Sequence, residues 1–104
     1  MTNLDRRLEL QQLLVDLLGS SYVYFQPPES LKLNYPAIVY KRSNIRNTFA
    51  GDNVYNQSYF YEITVIDRKP DSEITKKLSK LPKIKFDRSF TYDNLNHDVL
   101  TIYY

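Results

Sequence analysis

Residues that could take part in catalysis are few and widely spaced in this sequence. The single histidine, His97, is followed directly by Asp98, and neighbouring residues of a strand point to opposite faces, so the two are not expected to act as a pair. Asp67 and Asp71 bracket a short loop, where helix capping and local ion pairing are better interpretations than a metal or phosphate site. We therefore predict no catalytic, cofactor or metal site, and a chain that is not an enzyme.

Composition and charge narrow the classes of partner. Cysteine is absent, which excludes disulfides and thiolate metal sites. The net charge is only +2, whereas phosphate-driven binding normally needs a clustered basic footprint, so specific nucleic-acid binding is not expected. Lys41, Arg42 and Arg46 lie beside Tyr40, however, which keeps single-strand binding open as an alternative. Membrane contact is not expected, because no apolar stretch approaches the roughly 20 residues that span a bilayer.

Hydrophobic periodicity predicts two helices and five strands. Leu10, Leu14 and Leu17 recur at helical spacing within residues 4–18. A second helix is predicted to begin at Asp71, as its N-cap, and to end before Pro82. Strands are predicted at residues 22–25, 37–41, 58–67, 84–92 and 97–104.

The resulting order, α-β-β-β-α-β-β, predicts an α+β fold with a mostly antiparallel sheet and two covering helices. A length of 104 residues predicts one domain spanning residues 1–104. Alternation along residues 84–92 would place every second side chain of that strand on one face. Five aromatic residues are expected to pack in the core: Tyr59, Phe60, Tyr61, Phe86 and Phe90.

Residues 43–57 differ from the rest of the chain. Asn, Asp and Gly, which favour turns, are crowded there among scattered apolar residues. A segment of this length without regular structure is usually functional or disordered, and the apolar residues argue against plain disorder. We therefore predict a protruding loop or hairpin at about 43–57 that orders against a neighbouring chain, while a mobile surface loop remains the alternative.

Four segments carry a resemblance to a known family: Leu33–Tyr40, Tyr59–Asp71, Phe86–Phe90 and Asp93–Asp98. In these segments, the chain resembles small neck and tail proteins of long-tailed phages and prophages of Gram-positive bacteria. It is most similar to the tail terminator (tail completion) proteins, and the likeness covers most of the sequence from Leu33 onward.

The resemblance implies a virion protein that assembles in the host cytoplasm into a ring, expected to be a hexamer, at the tail–neck junction. Such a ring caps the tail tube, stops its elongation and provides the docking surface for the head. The implied partners are other copies of the chain, the tail tube protein and a head-closure or neck protein, while genomic DNA can pass through the lumen. A head-closure or other head–tail connector role is the alternative.

A ring subunit needs complementary lateral surfaces, and the 43–57 segment is the candidate for one of them. Phe49, Val54 and Tyr55 are expected to pack on a neighbouring subunit or on the tube. Polar contacts that set the orientation of the interface are expected from Arg46, Asp52 and Asn53.

Overall fold

A computed structural model describes residues 3–104, apart from the side chains of Asn3 and Tyr55. It confirms the α+β fold and the predicted order of elements. The helices are α1 (Asn3–Leu18) and α2 (Glu73–Leu78), and the strands are β1 (Val23–Phe25), β2 (Ala37–Ala50), β3 (Asn53–Asp67), β4 (Ile84–Tyr92) and β5 (Leu95–Tyr103).

The five strands form one sheet in the order β1-β2-β3-β5-β4. Among the described strands, β1 and β2 pair in parallel, and the other pairs are antiparallel. Both helices pack on one face of this sheet, which we call the helix face. Register places Tyr40, Ile63 and Leu100 side by side there, and these residues are fully buried together with Leu10 and Leu14 of α1. The other face is called the open face.

Helix α2 differs from its prediction at both ends. The helix begins at Glu73, and its N-cap residue is Ser72, not Asp71; Ser72 makes no side-chain capping hydrogen bond. It ends at Leu78, well before Pro82, and the hydroxyl of Ser79 donates to the carbonyl oxygen of Lys76 at 2.8 Å. Such a bond from a side chain competes with the helical backbone pattern and favours an end there.

Strand β4 also departs from its predicted pattern. Phe86 pairs with Leu100, but Arg88 pairs with Val99, so one extra residue interrupts the register. This bulge turns the later side chains to the other face, and Phe86 and Phe90 therefore lie on opposite faces. Both side chains are also exposed, by 47% and 44%, because β4 is an edge strand of the sheet. The prediction that Phe86 and Phe90 pack in the core was wrong.

Tyr40 anchors α1 to the sheet through a buried phenol. Its hydroxyl donates to Oε1 of Gln11 at 2.5 Å, and Gln11 Nε2 donates to the Val23 carbonyl at 3.2 Å. Burial raises the pKa of Tyr40 above its usual value, and the neighbouring Arg7 opposes part of that rise. The folded chain therefore favours the neutral phenol.

This pKa shift predicts a loss of stability in alkali. The stabilisation from the neutral phenol is fully present below the unfolded-state pKa of about 10 and is lost as the pH rises through the raised pKa of the folded state. We expect Tyr40→Phe to make the free energy of unfolding fall less steeply above about pH 10. Urea unfolding across this range measures the slope, and equal slopes for the variant and the wild-type chain would contradict the prediction.

Candidate docking surface on the β2–β3 ribbon

Residues 43–57 form a two-stranded ribbon, made of the distal parts of β2 and β3 and the turn between them. Within the described chain, β1 pairs with β2 only up to Tyr40, and the ladder between β5 and β3 ends at Phe60. Beyond these residues, β2 and β3 pair with each other alone. Two-stranded hairpins without further packing are marginally stable in water, so the ribbon lacks the support that stabilises the rest of the sheet.

The ribbon accounts for the elongated shape of the molecule, which measures 50 × 24 × 23 Å. The radius of gyration is 14.8 Å, against about 13 Å for a compact domain of this size. Gly51 and Asp52 form the turn at the tip, and Gly51 has φ +65°, a value that glycine adopts without strain. The ribbon therefore projects as an arm beyond the core.

An apolar strip runs along one face of the ribbon. Tyr61 is buried on the helix face, and Tyr59, two residues earlier on the same strand, shares that face. Ile45 pairs with Tyr59, and Phe49, four residues further along β2, lies on the same face as Ile45 and pairs with Val54. Ile45, Phe49 and Val54 are 42%, 61% and 49% exposed, because neither helix extends over the ribbon.

A bulge places Val54 in this strip. Thr48 pairs with Asn56, yet the next residue of β2, Phe49, pairs with Val54. Tyr55 is the extra residue of β3, and the expectation that its side chain packs on a neighbour lies outside the described residues. Because bulges re-aim side chains, this one brings two exposed apolar residues together near the tip.

The predicted polar residues take separate positions. Arg46 pairs with Ser58 on the open face of the ribbon, and its guanidinium carbon lies 4.9 Å from the centre of the Phe60 ring. Asp52 lies in the turn and Asn53 begins β3, opposite Ala50. Ile45, Phe49 and Val54 are uncharged, and their polar neighbours on that face are Asn47, Gln57 and, at the end nearest the core, Arg42, whose guanidinium carbon lies 6.0 Å from the Tyr59 ring centre.

Sequence reasoning missed Ile45 as a member of the strip. The signal that could have identified it is the spacing of Ile45 and Phe49, which lie four residues apart and so share a face of any strand. The bulge that adds Val54 leaves no comparable signal in the sequence.

His97 and Asp98 lie on opposite faces of β5. The His97 ring stacks on Phe90, with ring centres 4.7 Å apart, and its Nδ1 lies 3.1 Å from the Leu95 carbonyl oxygen. Asp98 faces α2 and accepts a 2.7 Å hydrogen bond from the hydroxyl of Thr75. Within residues 3–104, no cluster of histidine and acidic side chains is placed to hold a metal ion. The contacts of both residues join elements of the fold to one another.

No protein-family model matches the sequence, and a comparison with curated proteins finds no significant match. No helix in the described part of the chain is both long and apolar enough to cross a membrane.

Proposed function

We propose that this chain is a structural protein of the tail–neck junction of a long-tailed phage, a tail terminator that acts by docking and not by catalysis. In this proposal, copies of the chain form a ring, expected to be hexameric, on the head-proximal end of the tail tube. The ring stops addition of tube protein and presents a surface to the neck of the head.

The observation that carries the proposal is the exposed apolar strip on an otherwise unsupported ribbon. Burying Ile45, Phe49 and Val54 against another protein would remove apolar surface from water, at roughly 25 cal/mol for each Å². It would also give the ribbon the packing that an isolated hairpin lacks. The sequence resemblance to tail terminators supplies the identity of the assembly.

The capping action follows from the nature of stacked rings. A tube of rings grows by a heterologous contact, in which one face of a ring binds the opposite face of the next, and such a contact has no inherent end. A terminator ring reproduces one half of this contact and lacks the other. Growth of the tube therefore stops where the terminator binds.

Tail length in particles made without this chain tests the proposal. If the chain is a terminator, its deletion should give tails that are longer than normal and variable in length, because nothing then stops tube growth. Restoring the wild-type chain from a plasmid should return the normal length. Tails of normal length that fail to join heads would overturn the terminator role and favour a head-closure role.

One feature favours single-strand nucleic-acid binding as a second candidate function. The ring centres of Phe60 and Tyr103 lie 5.4 Å apart on the open face. The Arg46 guanidinium lies over the Phe60 ring, and Lys83 Nζ lies 4.9 Å from the centre of the Tyr103 ring. Aromatic rings with nearby cations can stack bases. Here, however, the cations already cover the rings, and the carboxylate of Glu62 lies in the next row of the same face, so docking of protein is the better-supported function.

A further inference from the structure

The open face of the sheet holds an apolar groove at the end opposite to the ribbon. The loop after β1 crosses this face, and together they enclose a groove with a volume near 340 Å³. Residues that line it include Pro27, Leu31, Leu33, Ile66, Phe90 and His97, and Glu29 is the one charged residue among the described groove-lining residues. The groove is therefore a second apolar surface. It is concave, whereas the ribbon protrudes from the core.

The ribbon cannot reach the groove of its own chain. Ile66 pairs with His97, and His97 with Phe90, at one end of the sheet, while Phe60 pairs with Tyr103 at the other. Strand β3 runs from the ribbon toward the groove, and residues 60–66 separate them by roughly 20 Å at about 3.3 Å per residue. The ribbon points away from this groove, so its apolar strip can enter such a groove only on a second copy of the chain.

We propose that the apolar strip of one copy seats in the groove of a second copy, head to tail. This inference rests on the proposed ring and names its two lateral surfaces. A contact between two different surfaces of the same chain is heterologous, and it closes into a ring when the rotation between copies allows. The projecting strip and the groove are two different surfaces of this kind. The strip is formed by Ile45, Phe49 and Val54.

The polarity of the two surfaces is complementary. The strip residues Ile45, Phe49 and Val54 are apolar, and the groove is lined mostly by apolar side chains, with Glu29 as the charged one among those described, so their contact desolvates little charge. Opposite charges flank the two surfaces: Arg42, on the face of the strip, has its guanidinium carbon 6.0 Å from the Tyr59 ring centre, and Glu29 lines the groove. Asp52 lies at the ribbon tip and Arg88 on the open face. Register places Arg88 in the row of Val39 and Thr64, two residues that line the groove. Complementary charges of this kind favour one orientation.

Cysteine cross-linking tests this pairing, because the chain has no cysteine of its own. Val54→Cys marks the strip and Leu31→Cys marks the groove. Under mild oxidation, an equal mixture of the two single variants should give several-fold more dimer than either variant alone, since only the mixture brings strip and groove cysteines together. The chain carrying both substitutions should give a ladder of larger products that ends at the closed ring. Lys80→Cys, at an exposed residue in the turn after α2, replaces Leu31→Cys as the control and should give little dimer.

Three outcomes would overturn the inference. Dimers formed mainly by Val54→Cys alone would show that ribbon meets ribbon, and an absence of products between chains would show that strip and groove do not meet. Assembly of a folded Leu31→Glu variant to the wild-type mass would show that the ring uses other surfaces, and the proposed function would then stand without this inference. The expected cross-links between strip and groove could also occur while particles that lack the chain have tails of normal length. That result would remove the terminator role and leave the pairing of strip and groove intact.

Discussion

Replacing residues 46–55 with a short Gly-Ser linker is expected to abolish assembly and leave a folded monomer. The replacement removes Phe49 and Val54 together with the tip of the ribbon, whereas every buried core residue of the described chain lies outside this range. The pairing of residues 37–42 with residues 61–66 is also retained. We therefore expect assembly and folding to depend on different parts of the chain.

Light scattering after size-exclusion chromatography measures the mass of this variant, and circular dichroism with thermal unfolding measures its fold. A variant with Lys76, Lys77 and Lys80 changed to alanine is the matched control, because these exposed side chains lie on α2 and in the turn that follows it, away from both proposed docking surfaces. It should assemble as the wild-type chain does. An unfolded linker variant would show that the ribbon belongs to the folding core, and a linker variant that still assembles would remove the ribbon from the interface.

Leu14→Ala is expected to have the largest effect on stability. Leu14 is fully buried in the core between α1 and the sheet, and truncating such a leucine typically costs about 2–5 kcal/mol, from lost transfer energy and from the cavity left behind. The total stability of a domain is only about 5–15 kcal/mol, so a large share of it should be lost. Urea unfolding at one fixed protein concentration measures the difference.

Leu8→Ala is the matched control, because it makes the same change in the same helix at a residue that is 50% exposed. We expect it to lower the free energy of unfolding by well under half as much, since little apolar surface is lost from the interior and alanine is a good helix former. Equal losses of unfolding free energy in the two variants would contradict the placement of α1, in which Leu14 faces the sheet and Leu8 faces solvent.

Much of the fold could be predicted because its patterns are strong and local. The leucines of α1 recur at helical spacing over several turns, and Gly19, with φ +80°, ends that helix in a conformation that suits glycine. Strand β3 was equally clear, because its alternating β-branched and aromatic residues are typical of a strand with two partly covered faces.

The errors in the predicted fold arise from local events, which are the bulge in β4 and the early end of α2. The bulge at Asp87 reverses the side chains of β4 beyond it, so the rings of Phe86 and Phe90 separate although their spacing in the sequence predicts a shared face. At the end of α2, at Leu78, the Ser79 hydroxyl donates to the Lys76 carbonyl, a local bond that competes with the helical pattern. Neither event follows from hydrophobic periodicity.

The candidate site was predictable in part. The unusual composition of residues 43–57 marked the ribbon, but the face that its apolar residues share depends on pairing across two strands and on the extra residue at Tyr55. The groove could not be predicted, because Leu31 and Leu33 come from a loop, while Ile66 and Phe90 come from strands that are distant in sequence.

The mass of the wild-type protein in solution tests whether another copy of the chain covers the apolar strip of the ribbon. Light scattering should give a particle whose mass is a fixed multiple of 12.4 kDa, reached without a continuing series of larger species, because a heterologous contact that closes leaves no free surface. A single species of 12.4 kDa at the highest attainable concentration, with the ribbon exposed to solvent, would show that no second copy covers the strip.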